Sequence, residues 1–283
     1  MQRVVVDVPG PEFEPKPPRV IGGTSPDLEC DGWSTPAVTL RSASVRGDRH
    51  RYYGQPRQDA TCAVVHEGTG AVVFAVADGL SSAAASAVGA AEACRSAVWT
   101  LLTQLDAGRT DFTAAARHAA DALHRQASVM LQRPEVPLPQ VEELVATTLV
   151  AGTARPTAEG VEVALFRIGD SAAWFLDGRH FHPLFTSKEE DGLVATGVTA
   201  LPRLPDPLDQ WYGRLHRGHV LLVGTDGFGD PLGDGDGQVG AMFADNLAVP
   251  PTPLRLAHLL DFSRETFDDD RTLLALWPRS EAR

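Results

Sequence analysis
The 283-residue chain has little cysteine, no excess of basic residues and no long apolar run. Its three cysteines, Cys30, Cys62 and Cys94, show no C-x-x-C spacing, which excludes both a disulfide framework and a cysteine-rich zinc site. Cys62 and Cys94 lie in apolar patterns and read as core residues. Lysine and arginine number 25 against 37 aspartates and glutamates, a net charge of −12. That balance argues against non-specific nucleic-acid binding, which needs a basic footprint. The longest nearly apolar stretch, Ala83 to Leu102, is broken by Glu92 and Arg95, so no membrane span is expected. Residues Met1 to Pro18 lack the basic start and apolar run of a secretion signal, and the cytoplasm is the expected compartment. There is no H-E-x-x-H, no Walker-type loop, no dinucleotide fingerprint and no repeat at solenoid periods. Gly169-Asp170-Ser171-Ala172-Ala173 lacks the last glycine of a nucleophile elbow, and the nine histidines show no ligand spacing.

What is present is a globular composition, 43% hydrophobic and 22% charged, long enough for a sizeable core. Residues 1–36 are rich in proline, glycine and acids and read as an N-terminal arm, with Val4 to Val8 a possible edge strand and the rest linker-like. Residues 37–278 form the main domain and 279–283 a tail. Ala37 to Val45 and Thr61 to His66 alternate as strands, separated by a basic turn holding Arg46, His50, Arg51 and Arg57. Glu67-Gly68-Thr69-Gly70 turns the chain into the strand Ala71 to Ala77. In such a hairpin Asp59 lies near Asp78. Two helices follow. The second has Asp111 as its cap and Phe112, Ala116, Ala119, Leu123, Ala127 and Met130 as its stripe, and Pro134, Pro137 and Pro139 end it. Glu143 to Thr153, Val161 to Ile168, Ala172 to Leu176 and Phe181 to Phe185 read as strands. Thr186 to Arg217 is irregular. Thr252-Pro253 caps a helix over Leu254 to Phe267, and Thr272 to Trp277 is the last strand. Strands that succeed one another through hairpins predict antiparallel sheets with segregated helices, an α+β layered domain.

Acids recur at the ends of these strands. Val72 to Ala77 ends at Asp78-Gly79, Val220 to Gly224 leads to Thr225-Asp226-Gly227, Val163 to Ile168 runs into Gly169-Asp170, and Asp268-Asp269-Asp270 precedes the last strand. Gathered carboxylates repel one another unless a cation lies between them, and an all-oxygen cluster suits magnesium, manganese or calcium. A calcium loop counted from Asp234 fails, because the position needing glycine is Val239. Two divalent ions bridged by a carboxylate activate a water for in-line attack on phosphorus, with an arginine fork holding the phosphoryl oxygens.

Gln58-Asp59-Ala60, Val76-Ala77-Asp78-Gly79, Ala146-Thr147-Thr148-Leu149, Gly169-Asp170-Ser171, Thr225-Asp226-Gly227 and Asp269-Asp270-Arg271-Thr272 resemble, in order and spacing, the motifs of the metal-dependent serine/threonine protein phosphatases of type 2C, bacterial type. The resemblance covers about residues 37–278. It implies a four-layer α-β-β-α sandwich, two antiparallel sheets flanked by helices. It also implies two manganese or magnesium ions, with Asp78 bridging them and the Gly79 carbonyl a further ligand. Asp226 and Asp269 would complete one metal, Asp59 would act through water or from behind the ligands, and Asp170 would help hold a weaker third metal. Thr186 to Arg217 would be the flap beside the site. The substrate implied is a phosphorylated protein, opposed to a serine/threonine kinase.

The chain departs from the family at two motifs, and its phosphate-binding arginine stays open between candidates. Aspartate-asparagine, usual at the last metal strand, is Asp269-Asp270, and Asp270 is one residue's slip from the ligand position. Arg46 and Arg51 are both candidates for the phosphate-binding arginine, with Arg57 behind them. Leu80-Ser81-Ser82 follows Asp78-Gly79 where many relatives have histidine or methionine and then glycines. Leaving-group protonation then falls to water, and a phosphoprotein-binding module with a weak or inactive site is the alternative reading.

Overall fold
The computed structural model describes residues 3–17, 26–185 and 199–279. β1 (Leu28–Ser34) and β2 (Val38–Val45) open the chain's first sheet and pair along the whole of β1. A short helix α1 (Asp48–Tyr53) leads to β3 (Ala60–Val65) and β4 (Val72–Ala77), then to the helices α2 (Ser86–Asp106), α3 (Phe112–Leu131) and α4 (Leu138–Val145). β5 (Leu149–Thr157), β6 (Gly160–Ile168), β7 (Ala172–Asp177), β8 (His180–Pro183), β9 (Asp209–Leu215) and β10 (His219–Gly224) follow. Helices α5 (Asp226–Leu232), α6 (Gln238–Leu247) and α7 (Pro253–Leu260) precede β11 (Arg271–Pro278).

The strands form two antiparallel sheets, ordered β1-β2-β11-β10-β7-β8 and β3-β4-β5-β6-β9. β4 shows why its sequence is apolar throughout. Val73, Ala75 and Ala77 pack with Ala90, Ala93 and Leu101 of α2, while Val72, Phe74 and Val76 pack against Leu40, Leu221 and Leu274 of the other sheet. A strand covered on both faces has no polar side to show. The far face of the other sheet, through Ala43, Leu222 and Leu273, meets Phe228, Phe243 and Leu256 of α5, α6 and α7. The result is the α-β-β-α sandwich that the motifs imply. Among the described residues, no helix is long and apolar enough to cross a membrane.

Several local expectations are corrected. Leu28–Ser34, read as linker, is an edge strand. The Arg46 to Arg57 turn contains α1, closed by Gly54 at φ 67°. Glu143 belongs to α4, and β5 starts at Leu149. Pro137 and Pro139 sit at the entry of α4, where proline's missing N–H costs nothing, and so begin a helix there. The helix after Thr252 stops at Leu260, because the chain beyond it pairs with the arm: Val6 N–H donates to the Ser263 carbonyl at 3.0 Å and Ser263 N–H to the Val4 carbonyl at 2.8 Å. Of the flap-like stretch, residues 186–198 lie outside the described residues, and Asp209–Leu215 is a regular strand at the sheet edge. The caps Asp111 and Thr252 are as read, accepting from Ala114 N–H and Arg255 N–H.

Candidate active site
Strand register gathers the acids at one end of the sandwich. Ala60 pairs with Ala77, which sets Asp59 opposite Asp78. Val76 pairs with Val150, so the chain just before β5 lies beside Asp78. There Thr148 N–H and the Thr147 hydroxyl both donate to the Asp78 carbonyl at 2.8 Å, and Asp78 N–H donates to Thr148 Oγ1 at 3.0 Å. The Ala-Thr-Thr motif is thus the clamp that fixes the backbone of Asp78. Gly79 passes Ser86 so closely that a Cβ would lie 2.7 Å from its backbone, which is why glycine stands there. On the other sheet Gly224 pairs with Leu273, bringing Asp226 and Asp269 together. They line a cavity of about 140 Å³ with Asp230, Asp268, Thr266 and Phe267.

These carboxylates are held against one another away from water. Burial pushes Asp78 well above the usual range, with Asp59 and Asp226 adding to it. Burial likewise raises Asp59, with Asp270 next. Asp226 is pushed up to about 6 by burial, with Asp170 and Asp269 contributing. Asp230 is raised by burial and then by Asp170 and Asp269. Oδ1 of Asp59 and Oδ1 of Asp226 are buried with no hydrogen-bond partner among the described residues. Repelling acids with orphaned buried oxygens are the signature of a site completed by cations, and oxygen donors fit hard divalent ions. The residues present therefore fit manganese or magnesium.

A sequence profile of the protein phosphatase 2C family matches residues 46–260. The chain belongs to the protein phosphatase 2C family. It is accordingly of the metal-dependent phosphoprotein phosphatase class, which are hydrolases. Solved structures share the fold. A bacterial serine phosphatase aligns at 15% identity over 86% of this chain and 98% of its own, with a TM-score of 0.60. The catalytic domain of the phosphatase PstP, solved with two manganese ions, aligns at 18% identity over 86% and 99%, TM-score 0.57. PppA, a regulatory component of the type VI secretion system in Pseudomonas aeruginosa, aligns at 21% over 88% and 100%, TM-score 0.55. Among curated proteins no match was found.

Of the expected site residues, Asp59, Asp78, Asp226 and Asp269 come together, with exposed Asp170 beside Asp226. Asp270 turns inward. It is 2% exposed, and its oxygens accept from Gly47 N–H at 2.7 Å and Gln58 N–H at 2.6 Å. Asp59 is steadied by the Thr225 hydroxyl at 2.8 Å. The arginines are engaged elsewhere. Arg46 pairs with Asp27 and donates to the Gln55 carbonyl at 3.1 Å. Arg51 bridges Asp48 at 3.2 Å and Asp261 at 3.0 Å, on the side of α1 that meets the arm. Arg57 is buried against Glu29 at 2.5 Å and the Pro26 carbonyl at 3.2 Å.

Two residues near the site receive no role from the sequence alone. Asp230 lies one helical turn after Asp226 on α5, and that four-residue spacing was the available signal. Arg271 is buried and ties down the loop that carries Asp269. It donates to the carbonyls of Leu260 at 3.1 Å, Phe262 at 2.8 Å and Phe267, and lies 4.0 Å over the Phe262 ring. Burial lowers it to about 10.

Proposed function
We propose that this chain hydrolyses phosphoserine and phosphothreonine in proteins at a binuclear manganese or magnesium centre. The single observation that carries the reading is the convergence of Asp59, Asp78, Asp226 and Asp269, with buried unpartnered oxygens on Asp59 and Asp226. Asp78 and the Gly79 carbonyl, with Asp226 and Asp269, would hold the ions, and Asp170 with Asp230 a weaker third. Bound there, the ions supply a more acidic water nucleophile and neutralise charge on the phosphoryl oxygens.

The chain's own residues supply the rest. Thr147 and Thr148 hold Asp78 at its backbone, so the carboxylate is presented without a search over backbone conformers. Buried Asp59, its Oδ2 bonded to Thr225, keeps Oδ1 free to accept a proton from water in the cleft. Arg46 follows β2 directly at the site's edge, and its partner Asp27 is 54% exposed, so phosphate can compete for the guanidinium. Arg51, held by Asp48 and Asp261, is a structural residue in this reading. Leu80 has no acid to offer, so the leaving serine or threonine oxygen is protonated by water. A serine/threonine kinase would supply the substrate.

The test is hydrolysis of para-nitrophenyl phosphate and a phosphothreonine peptide with manganese, with magnesium and with chelator, alongside Asp78→Ala and Asp226→Ala. Metal-dependent turnover lost in both variants supports the proposal. Folded, metal-loaded protein that binds phosphopeptide without turnover would make the chain a phosphoprotein-binding module.

A further inference from the structure
Asp270 stands one residue beyond Asp269, yet nothing about it resembles a free ligand. Its Oδ1 accepts from Gly47 N–H at 2.7 Å and its Oδ2 from Gln58 N–H at 2.6 Å. His50 of α1, itself 2% exposed, places Nδ1 2.9 Å from Asp270 Oδ1 and 3.9 Å from Asp269 Oδ1. The three side chains are close enough to hold a small cation, with ligand atoms within 4.8 Å of one another. The contacts read instead as a lock: both Asp270 oxygens already take backbone N–H groups, and His50 Nδ1 packs 2.9 Å from Oδ1.

The choice of residue also follows. An asparagine offers one acceptor oxygen, whereas the two backbone donors from Gly47 and Gln58 need two. Aspartate meets both, and buried His50 packs its Nδ1 against the same carboxylate. The packing leaves no slack around this pair. A Cβ on Gly47 would lie 2.2 Å from the Asp269 carbonyl carbon, so the Gly47 backbone and the Asp269 backbone are in direct contact. Gln58 in turn precedes Asp59 and accepts from Gly79 N–H at 3.3 Å.

We infer that the His50–Asp270 pair is the positioning element of the metal centre. It locks the Gly47 and Gln58 backbones to the edge of β11 and so sets Asp269 against Asp59 and Asp78. The inference rests on the metal-centre reading of the site. Neither residue is a ligand. Each acts through the backbone of its neighbours.

The test is manganese binding, read as the loss of the free-ion signal in electron paramagnetic resonance, on full-length protein whose folding is checked by circular dichroism. His50→Leu is expected to weaken manganese binding by about 10–100-fold, the usual cost of losing a residue that orients ligands. His50→Asn, whose amide N–H can donate to Asp270 Oδ1, is expected to recover most of that loss. Should His50→Leu not fold, His50→Gln replaces it, since its amide reaches the wrong position. Wild-type affinity in a folded loss variant overturns the inference, because a merely structural pair would lower stability alone. A nitrogen hyperfine coupling in the pulsed spectrum of the bound ion overturns it too, by making His50 a ligand. Absence of any binding by wild-type protein would instead bring down the metal-centre reading, and the inference with it.

Discussion
The hydroxyl of Thr225 donates to Oδ2 of Asp59 at 2.8 Å, a bond that crosses from one sheet of the sandwich to the other. Thr225 Oγ1 also accepts from Thr272 N–H at 3.1 Å. One side chain therefore joins β10, β11 and the acid that precedes β3. Thr225→Val removes the donor and leaves a buried carboxylate oxygen unpaired, at a cost of about 1–3 kcal/mol. Thr225→Ser keeps the hydroxyl and is expected to cost much less. Urea unfolding of the two variants checks the difference, and equal losses would contradict it.

Stability of the metal-free protein should fall as pH rises. Asp226 is pushed up to about 6, first by burial, and Asp59 and Asp78 are raised well above the ordinary value, again first by burial. The folded chain thus holds protons that the unfolded chain has released, and the stability from this is lost as pH climbs through the folded values. His50 acts in the same direction: burial opposes its charge, but Asp270 and Asp269 raise it above 6.5, so its contribution fades above that raised value. In chelator, Tm is expected to drop between about pH 5 and about pH 8, and manganese at the upper pH should restore it. Scanning fluorimetry at both pH values, with and without manganese, reads the effect. A Tm that rises with pH in chelator would contradict it.

Gly227 lies against the backbone of the acid loop, and a Cβ there would stand 1.9 Å from the Asp270 carbonyl oxygen. Gly227→Ala must push the Asp268–Asp270 segment away from α5. A loss of about 1–3 kcal/mol is expected from such overpacking, together with weaker manganese binding because Asp269 moves with the segment. Calorimetric titration of the folded variant decides it. Gly237→Ala, with nothing within 4 Å and φ −80°, is the control.

The first described residues of the N-terminal arm pack on the chain after α7 and on α1. Val6 is 5% exposed, Arg3 bonds Asp48 at 2.7 Å, and Glu265 N–H donates to the Val8 carbonyl at 2.7 Å. Val6→Asp places a charge in that packing and should release the arm. The expected result is faster hydrogen exchange at Ser263 and Glu265, with β4 unchanged. Unchanged exchange at both amides would contradict the assigned packing.

Much of the candidate cluster is legible because its residues are local in sequence. Asp78, Asp226 and Asp269 each adjoin a buried strand, and short apolar runs ending in an acid are visible without a structure. Asp59 and Asp78 were placed together by hairpin geometry, and the Ala60–Ala77 pairing agrees. Elements whose signals cancel were not legible. Pro137 and Pro139 punctuate and initiate with the same residue type, so α4 was read as a break. β1 carries glycine and acids on an exposed edge, and its strand character comes from pairing with β2.

The sequence by itself determined the layered α+β class, the strand-end acids and the family motifs, since burial on two faces and turn chemistry are written in residue type. Tertiary structure alone decided which of two adjacent acids faces the cleft. Asp269 sits at a bend before β11 and lines the cavity, whereas both Asp270 oxygens are taken by backbone N–H groups, so the two acids have different surroundings. The pairing of Arg271 with Val45, together with the Gly47, His50 and Gln58 partners brought from elsewhere in the chain, turns Asp270 inward and leaves Asp269 to the cavity.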